Sequence, residues 1–122
     1  MKTQVRILVV DDEDGIRSAL SDELTAKGYA VDEASDGDEA IACISKKAFD
    51  LVLLDLKMTR VDGLEVLKFI KKEFPTMKVI MTTGSADPNV VRELKDLGAD
   101  NYMSKPYDLD DLMLTIEEVL NR

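Results

Sequence analysis

Two patterns of apolar residues alternate along the chain. In the first, aliphatic residues follow one another without interruption, as in Leu51-Val52-Leu53-Leu54, and such runs are typical of strands buried on both faces. In the second, apolar residues recur every three or four positions, which is the spacing of an amphipathic helix. Strand-like runs occupy residues 5–10, 29–31, 51–54, 78–81 and, more weakly, 100–104. The alternation predicts five strands and five helices.

Capping residues mark the limits of the predicted helices. In the first helix, from Gly15 to the capping Gly28, apolar residues recur at helical spacing: Ile16, Ala19, Leu20 and Leu24. Later helices are predicted to begin at Ser35-Asp36-Gly37-Asp38, Asp87-Pro88 and Asp108, and to end at Pro75 and Gly98. Because crossover helices join the strands, the sheet is predicted to be parallel. The common order for such a doubly wound sheet is 2-1-3-4-5, within one α/β domain over residues 1–122.

Acidic residues follow the two strands that this order places side by side. Asp11 and Asp12 end the first strand and Asp55 ends the third, while Thr83 and Lys105 end the fourth and fifth. Since the carboxyl ends of parallel strands share one edge, these side chains are expected in one crevice. Crowded carboxylates need a counterion. Oxygen ligands without histidine or cysteine suit Mg²⁺, with Mn²⁺ as the alternative.

This set of residues suits the transfer of a phosphoryl group onto a carboxylate. Asp55 is the predicted nucleophile. Lys105 and the Thr83 hydroxyl are predicted to contact the phosphoryl oxygens. The sequence has no glycine-rich phosphate loop, so the donor is expected to be held by another protein or a small molecule.

Composition narrows the class of partner. The net charge of -9 argues against nucleic acid, because phosphate binding needs a basic face. The absence of histidine excludes an internal phosphohistidine. No apolar run is long enough for a membrane span and no signal-like stretch is seen, so we expect a cytoplasmic location without membrane contact. The single Cys43 lies in a run typical of a buried helix and is interpreted as core.

The combined motifs resemble the receiver domain of bacterial two-component response regulators along essentially the whole chain. The matching residues are Asp11-Asp12, Asp55 with Met58 and Gly63, Thr83-Gly84, Tyr102 and Lys105-Pro106. The resemblance implies a flavodoxin-like fold. It also implies that Asp55 takes a phosphoryl group, in the presence of Mg²⁺, from a sensor histidine kinase or a phosphotransfer protein.

The resemblance further implies individual roles. Asp12, Asp55 and the backbone carbonyl of Lys57 match direct metal ligands, and Asp11 matches a ligand acting through water. Thr83 and Tyr102 match the switch pair of the family, which relays phosphorylation to the surface of the fourth helix, fifth strand and fifth helix. The Lys105-Pro106 bond is expected to be cis. The expected output is an unknown downstream protein or domain, reached by a monomer or a phosphorylation-dependent dimer, with no output domain within this chain.

Two positions depart from the family pattern. Thr59 follows Met58 where proline is usual, so the loop after Asp55 is expected to be less rigid. Lys57 is also unusual, since its side chain would overhang the phosphoryl group. We hypothesise that Lys57 pairs with Glu13 or a phosphoryl oxygen and alters the lifetime of the aspartyl-phosphate.

Two other functions compete with the signalling switch. Asp55-Leu56-Lys57-Met58-Thr59 is loosely similar to the nucleophile motif of haloacid-dehalogenase-like phosphatases, but Lys57 stands where those enzymes have a second acid. The other alternative is a receiver-like interaction module that no longer takes phosphate. Under the main interpretation the chain is not an enzyme beyond Mg²⁺-dependent self-phosphorylation and self-dephosphorylation.

Overall fold

Five strands and five helices alternate strictly in the computed structural model, which describes residues 4–58, 62–84 and 87–122. Thr59, in the predicted loop after Asp55, lies outside the described residues. The elements are β1 (Arg6–Val10), α1 (Asp14–Ala26), β2 (Ala30–Ala34), α2 (Gly37–Lys46), β3 (Leu51–Asp55), α3 (Gly63–Glu73), β4 (Lys78–Thr83), α4 (Pro88–Asp96), β5 (Asn101–Ser104) and α5 (Leu109–Leu120).

The strands form one parallel sheet in the order β2-β1-β3-β4-β5, which confirms the predicted fold class. The register aligns Val10 with Leu54 and Asp55 with Thr82. The carboxyl ends of β1 and β3 therefore lie side by side, so the segments that carry the acids meet at one edge.

Helices cover both faces of the sheet, and alternate strand residues point to each face. On one face, Ile7 and Val9 of β1 pack in a cluster with buried residues of α1 and α5. On the other, Leu8 and Val10 pack with α2, α3 and α4. The three middle strands are thus buried on both sides, which explains their uninterrupted apolar runs.

Local signals placed most helix limits correctly. Four of the described helices begin after an aspartate whose carboxylate accepts a hydrogen bond from a backbone N–H in the first turn: Asp36, Asp62, Asp87 and Asp108. Gly28 and Gly98 adopt positive φ values of 96° and 98° after α1 and α4. The Lys105-Pro106 bond is cis, as the resemblance implied.

Three predictions from the apolar pattern needed correction. The second strand runs from Ala30 to Ala34 and includes polar residues, because its length is set by hydrogen bonding to β1 along an edge. In α1, Leu20 and Leu24 are buried, whereas Ile16 is 36% exposed. Cys43 is half-buried against the core, more accessible than predicted. No helix in the described part of the chain is long and apolar enough to cross a membrane.

Candidate functional site

Three carboxylates converge at the carboxyl edge of the sheet. Asp11, Asp12 and Asp55 each offer an oxygen, and these oxygens all lie within 4.8 Å of one another. The Asp11 and Asp55 side chains are only 3% and 7% exposed, while Asp12 is half-buried. The sequence predicted these acids in one crevice, and in the structure two of them are almost fully buried there.

Lys105 supplies the positive charge inside this cluster. Its Nζ lies 3.2 Å from Oδ2 of Asp11 and 3.4 Å from Oδ2 of Asp55. The backbone N–H of Lys105 donates to the carbonyl of Thr83 at 2.6 Å, which continues the β4–β5 pairing past the end of the strand. This backbone pairing beyond the end of β5 places the Lys105 ammonium group next to Asp11 and Asp55.

The electrostatics of the cluster leave it short of positive charge. Burial raises the pKa of Asp55, Lys105 opposes that rise, and the neighbouring Asp11 adds to it. For Lys105, burial acts to lower the pKa, but the charges of Asp55 and Asp11 outweigh it and the pKa is raised. Both groups therefore hold their protons more tightly than usual, as expected where one ammonium serves several carboxylates.

The donor set fits a hard divalent cation. All three side chains offer carboxylate oxygens, which Mg²⁺ prefers in proteins. The backbone N–H of Lys57 also acts to lower the pKa of Asp55, so the start of the loop after β3 lies beside the cluster. The metal-ligand role of the Lys57 carbonyl remains a prediction. Asp11, Asp12 and Asp55 are the residues that would hold Mg²⁺.

Gly63 allows α3 to approach the end of β3 closely. Its N–H donates to the carbonyl of Leu56 at 2.9 Å. A Cβ atom at this position would collide with the backbone carbonyl oxygen of Asp55. Glycine is thus required for the packing that supports Asp55.

Thr83 and Tyr102 follow strand positions on the face of the sheet that α2, α3 and α4 cover. Residues of β3 alternate, and Asp55 continues the side of Leu51 and Leu53 that faces α1 and α5. Thr83 is buried and continues the side of Met81, which faces α2, α3 and α4.

Tyr102 packs against the same cluster as Met81 and is aligned with it in the β4–β5 register. Thr83 and Tyr102 are therefore diagonal neighbours, close enough for a long side chain to span. The structure brings the predicted switch pair together on the α4 side, and its role remains a prediction.

The expected Lys57–Glu13 ion pair is not formed. Lys57 is exposed, and the ion pairs of the described residues do not include one between these two side chains. Lys57 is thus placed on the solvent side of the cluster. The other half of the hypothesis, contact with a phosphoryl oxygen, remains a prediction.

Two residues near the site were missed by sequence reasoning. Arg17, in the second turn of α1, donates a hydrogen bond to the backbone carbonyl of Asp11 at 2.8 Å. The signal available was that Arg17 is the single basic residue between positions 11 and 26. Tyr107 follows the cis proline, and burial raises the pKa of its phenol, opposed by the charge of Lys105. A tyrosine after Lys-Pro carries no such signal by itself.

Comparison with known proteins agrees with this arrangement. The family model of the response regulator receiver domain matches residues 7–117. Sporulation initiation phosphotransferase F of Bacillus subtilis is 36% identical over 115 residues, which cover 94% of this chain and 93% of that protein. The transcriptional regulatory protein ResD of the same species is 39% identical over 119 residues, covering 98% of this chain.

The match to ResD spans only 49% of that regulator's length. Among solved structures, the response regulator TrrA of Thermotoga maritima, in complex with Mg²⁺ and BeF, superposes with a TM-score of 0.86 at 36% identity. The match covers 95% of this chain and 99% of TrrA. The chain belongs to the family of response regulator receiver domains.

Proposed function

We propose that this receiver domain is a phosphorylation-dependent switch whose acceptor is Asp55. The observation that carries the proposal is the position of Asp55 beside Asp11, Asp12 and Lys105 at the carboxyl edge of the sheet. In the reaction, an oxygen of Asp55 attacks phosphorus on a phosphohistidine of a sensor kinase or phosphotransfer protein. The P–N bond breaks and its electron pair stays on the imidazole, leaving an aspartyl-phosphate.

The residues around Asp55 have complementary tasks. Lys105 Nζ already lies 3.4 Å from the Asp55 carboxylate, and after phosphorylation it would pair with a phosphoryl oxygen instead. Thr83 ends the neighbouring strand and would donate its hydroxyl hydrogen bond to another oxygen. Bound Mg²⁺ supplies neutralisation of negative charge on the phosphoryl oxygens. The relative TrrA, crystallised with Mg²⁺ and BeF, supports this choice of cation.

An apolar groove beside Lys105 is the surface that we assign to the protein donor. Its lining combines α1 with the loop after β5, and includes the exposed Ile16 together with Ala19, Leu20, Pro106 and Tyr107. Apolar patches of this kind mark protein contacts. A donor seated there would have its phosphoryl group within reach of the acidic edge, in the cytoplasm where such kinases act.

Transmission of the signal is assigned to Thr83 and Tyr102. A phosphoryl group adds about -1.5 to -2 charges at neutral pH and attracts nearby donors. Movement of Thr83 toward Asp55 would vacate space on the α4 side, where Tyr102 packs. The α4–β5–α5 surface would then change for an output protein or domain, with the domain acting as a monomer or a phosphorylation-dependent dimer.

Incubation with acetyl phosphate and Mg²⁺ tests the proposal. Intact-protein mass spectrometry should show one added phosphoryl group, lost on treatment with hydroxylamine, and absent from Asp55→Asn. No mass increase in the wild-type chain would contradict the proposal and favour an interaction module without phosphate. Sustained turnover of p-nitrophenyl phosphate would instead favour a phosphohydrolase.

A further inference from the structure

Arg17 bridges three elements around the first acids of the cluster. Its guanidinium donates to the backbone carbonyl of Asp11 at 2.8 Å and to the carboxylate of Asp14 at 2.7 Å. It also donates to the carboxylate of Glu33, on β2, at 3.1 Å. The Arg17 side chain is 15% exposed, whereas that of Asp14 is 86% exposed. The bond to the Asp11 carbonyl is therefore the best shielded from water.

That carbonyl belongs to the peptide unit between Asp11 and Asp12. Because the peptide unit is planar, fixing its oxygen also fixes the orientation of the Asp12 N–H and limits the direction of the Asp12 side chain. The rest of Asp11 is held independently. Its N–H donates to the carbonyl of Ala34 at 3.2 Å, and its carboxylate accepts from Glu13 N at 2.9 Å and Lys105 at 3.2 Å. For the described residues, no hydrogen bond to the Asp12 carboxylate is found.

We infer that Arg17 is a positioning residue of the cation site, which sets the Asp11–Asp12 peptide plane so that the Asp12 carboxylate faces Asp11 and Asp55. This inference rests on the proposed function insofar as the cluster binds Mg²⁺. The three-way fork requires a guanidinium, because a lysine ammonium cannot span a carbonyl and two carboxylates on separate elements in the same plane.

The direction in which Mg²⁺ affinity changes when Arg17 is replaced distinguishes a positioning role from a purely electrostatic one. Arg17 is a cation close to a site for a cation, so Coulomb's law alone says that removing its charge strengthens Mg²⁺ binding. A positioning role predicts weaker Mg²⁺ binding instead, because the Asp12 carboxylate loses its fixed orientation when Arg17 is replaced. Groups that orient a metal ligand typically change affinity by about 10- to 100-fold when they are replaced.

The experiment measures Mg²⁺ affinity by isothermal titration calorimetry, without any phosphodonor, for Arg17→Gln, Arg17→Lys and a matched control. Arg122 is the control, because it also donates to a backbone carbonyl, that of Asp100 at 2.8 Å, and to a carboxylate, that of Glu118 at 2.9 Å. Its partner Asp100 immediately precedes the amino end of β5, whereas the acidic cluster lies at the carboxyl ends of the strands. Urea unfolding of each variant establishes that it is folded.

Arg17→Gln should raise the Kd for Mg²⁺ by about 10-fold, Arg17→Lys should fall between it and the wild type, and Arg122→Gln should leave the Kd unchanged. An unchanged or lower Kd in Arg17→Gln overturns the inference, as does an equal rise in Arg122→Gln. If Arg17→Gln does not fold, Arg17→Lys, which keeps the charge, decides by the same criteria. Failure of the proposed function looks different: the wild type would bind Mg²⁺ with an Arg17-dependent Kd yet take no phosphoryl group.

Discussion

The two edges of the sheet use the same residue types with opposite charge balance. At the amino edge, the Asp100 carboxylate accepts from Val79 N at 2.8 Å and from Lys71 Nζ at 3.0 Å, and lies 4.0 Å from Lys78 Nζ. Asp100 and Lys71 are each 18% exposed. One carboxylate there has two lysines and a backbone donor.

At the carboxyl edge the ratio is reversed. Three carboxylates meet within 4.8 Å, and Lys105 contacts two of them. A buried carboxylate with sufficient donors holds structure together, whereas carboxylates with too few are a place for a cation or for chemistry. In this molecule, burial is common to both groups of acids, and what distinguishes the candidate site is that its carboxylates have fewer cationic and hydrogen-bond donor partners than Asp100 has.

The largest expected contrast is in phosphoryl acceptance. Asp55→Asn should abolish incorporation from acetyl phosphate in the presence of Mg²⁺, because an amide is not a nucleophile toward phosphorus. Asp100→Asn, the matched change at the amino edge, should leave incorporation at the wild-type level. Intact mass spectrometry at fixed times provides both values. Equal incorporation in Asp55→Asn and wild type would place the acceptor elsewhere.

The next contrast is in stability. Asp100→Ala should lower the free energy of unfolding by about 2 kcal/mol, because it removes charged hydrogen bonds, leaves Val79 N without its acceptor and leaves Lys71 with only the Met77 carbonyl. Urea denaturation without Mg²⁺ measures the change, with Glu118→Ala as the control for an exposed ion pair. A loss no greater than that of the control would mean that the amino edge is not held by Asp100.

The pH dependence should distinguish the two edges further. The pKa of Asp55 is raised in the folded protein. Protonated Asp55 therefore contributes its full stabilisation of the fold only when the pH is below about 3.9, the pKa of an aspartate in the unfolded chain. That stability is lost as pH rises through the folded pKa. Asp55→Asn should therefore be more stable than wild type at neutral pH without divalent cations, and the difference should shrink toward acid.

Urea denaturation over a pH series measures this difference. Added Mg²⁺ should raise the stability of the wild type toward that of the variant, since the cation binds only the folded cluster. A difference between wild type and Asp55→Asn that is constant across the pH range would contradict the assignment to Asp55.

The smallest expected effect concerns Lys57. This exposed side chain follows Asp55 by two residues, and our hypothesis is that it shields the phosphoryl group from water. Lys57→Ala should hasten loss of the aspartyl-phosphate by roughly 10-fold or less, because the interaction of an exposed charge is worth about 1 kcal/mol or less and a tenfold rate change needs about 1.4 kcal/mol. Lys57→Met keeps a long side chain without the charge. It should dephosphorylate like the wild type if Lys57 acts by shielding the phosphoryl group from water, and like Lys57→Ala if Lys57 acts through its charge. An unchanged rate of dephosphorylation in Lys57→Ala would dismiss the hypothesis.

Much of the architecture follows from local signals. Apolar runs such as Leu51 to Leu54 identify buried strands because both faces must be covered, and aspartates such as Asp36 and Asp108 identify helix starts because they satisfy exposed N–H groups. The placement of Asp11, Asp12 and Asp55 together followed from strand order alone. These features depend on the chemistry of neighbouring residues and on the rules of parallel sheets, so the sequence determined them.

The tertiary structure decided what depends on distant partners. Lys105 and Asp11 are 94 residues apart, and only the assembled sheet brings the ammonium between two acids. The length of β2 came from pairing with β1, and the 36% exposure of Ile16 from the way the helices pack on the sheet. Arg17 reaches the Asp11 carbonyl and Glu33 only because α1 packs beside β2. Residue type and spacing thus specify which elements form, while burial, charge balance and long-range hydrogen bonds arise only when those elements are packed together.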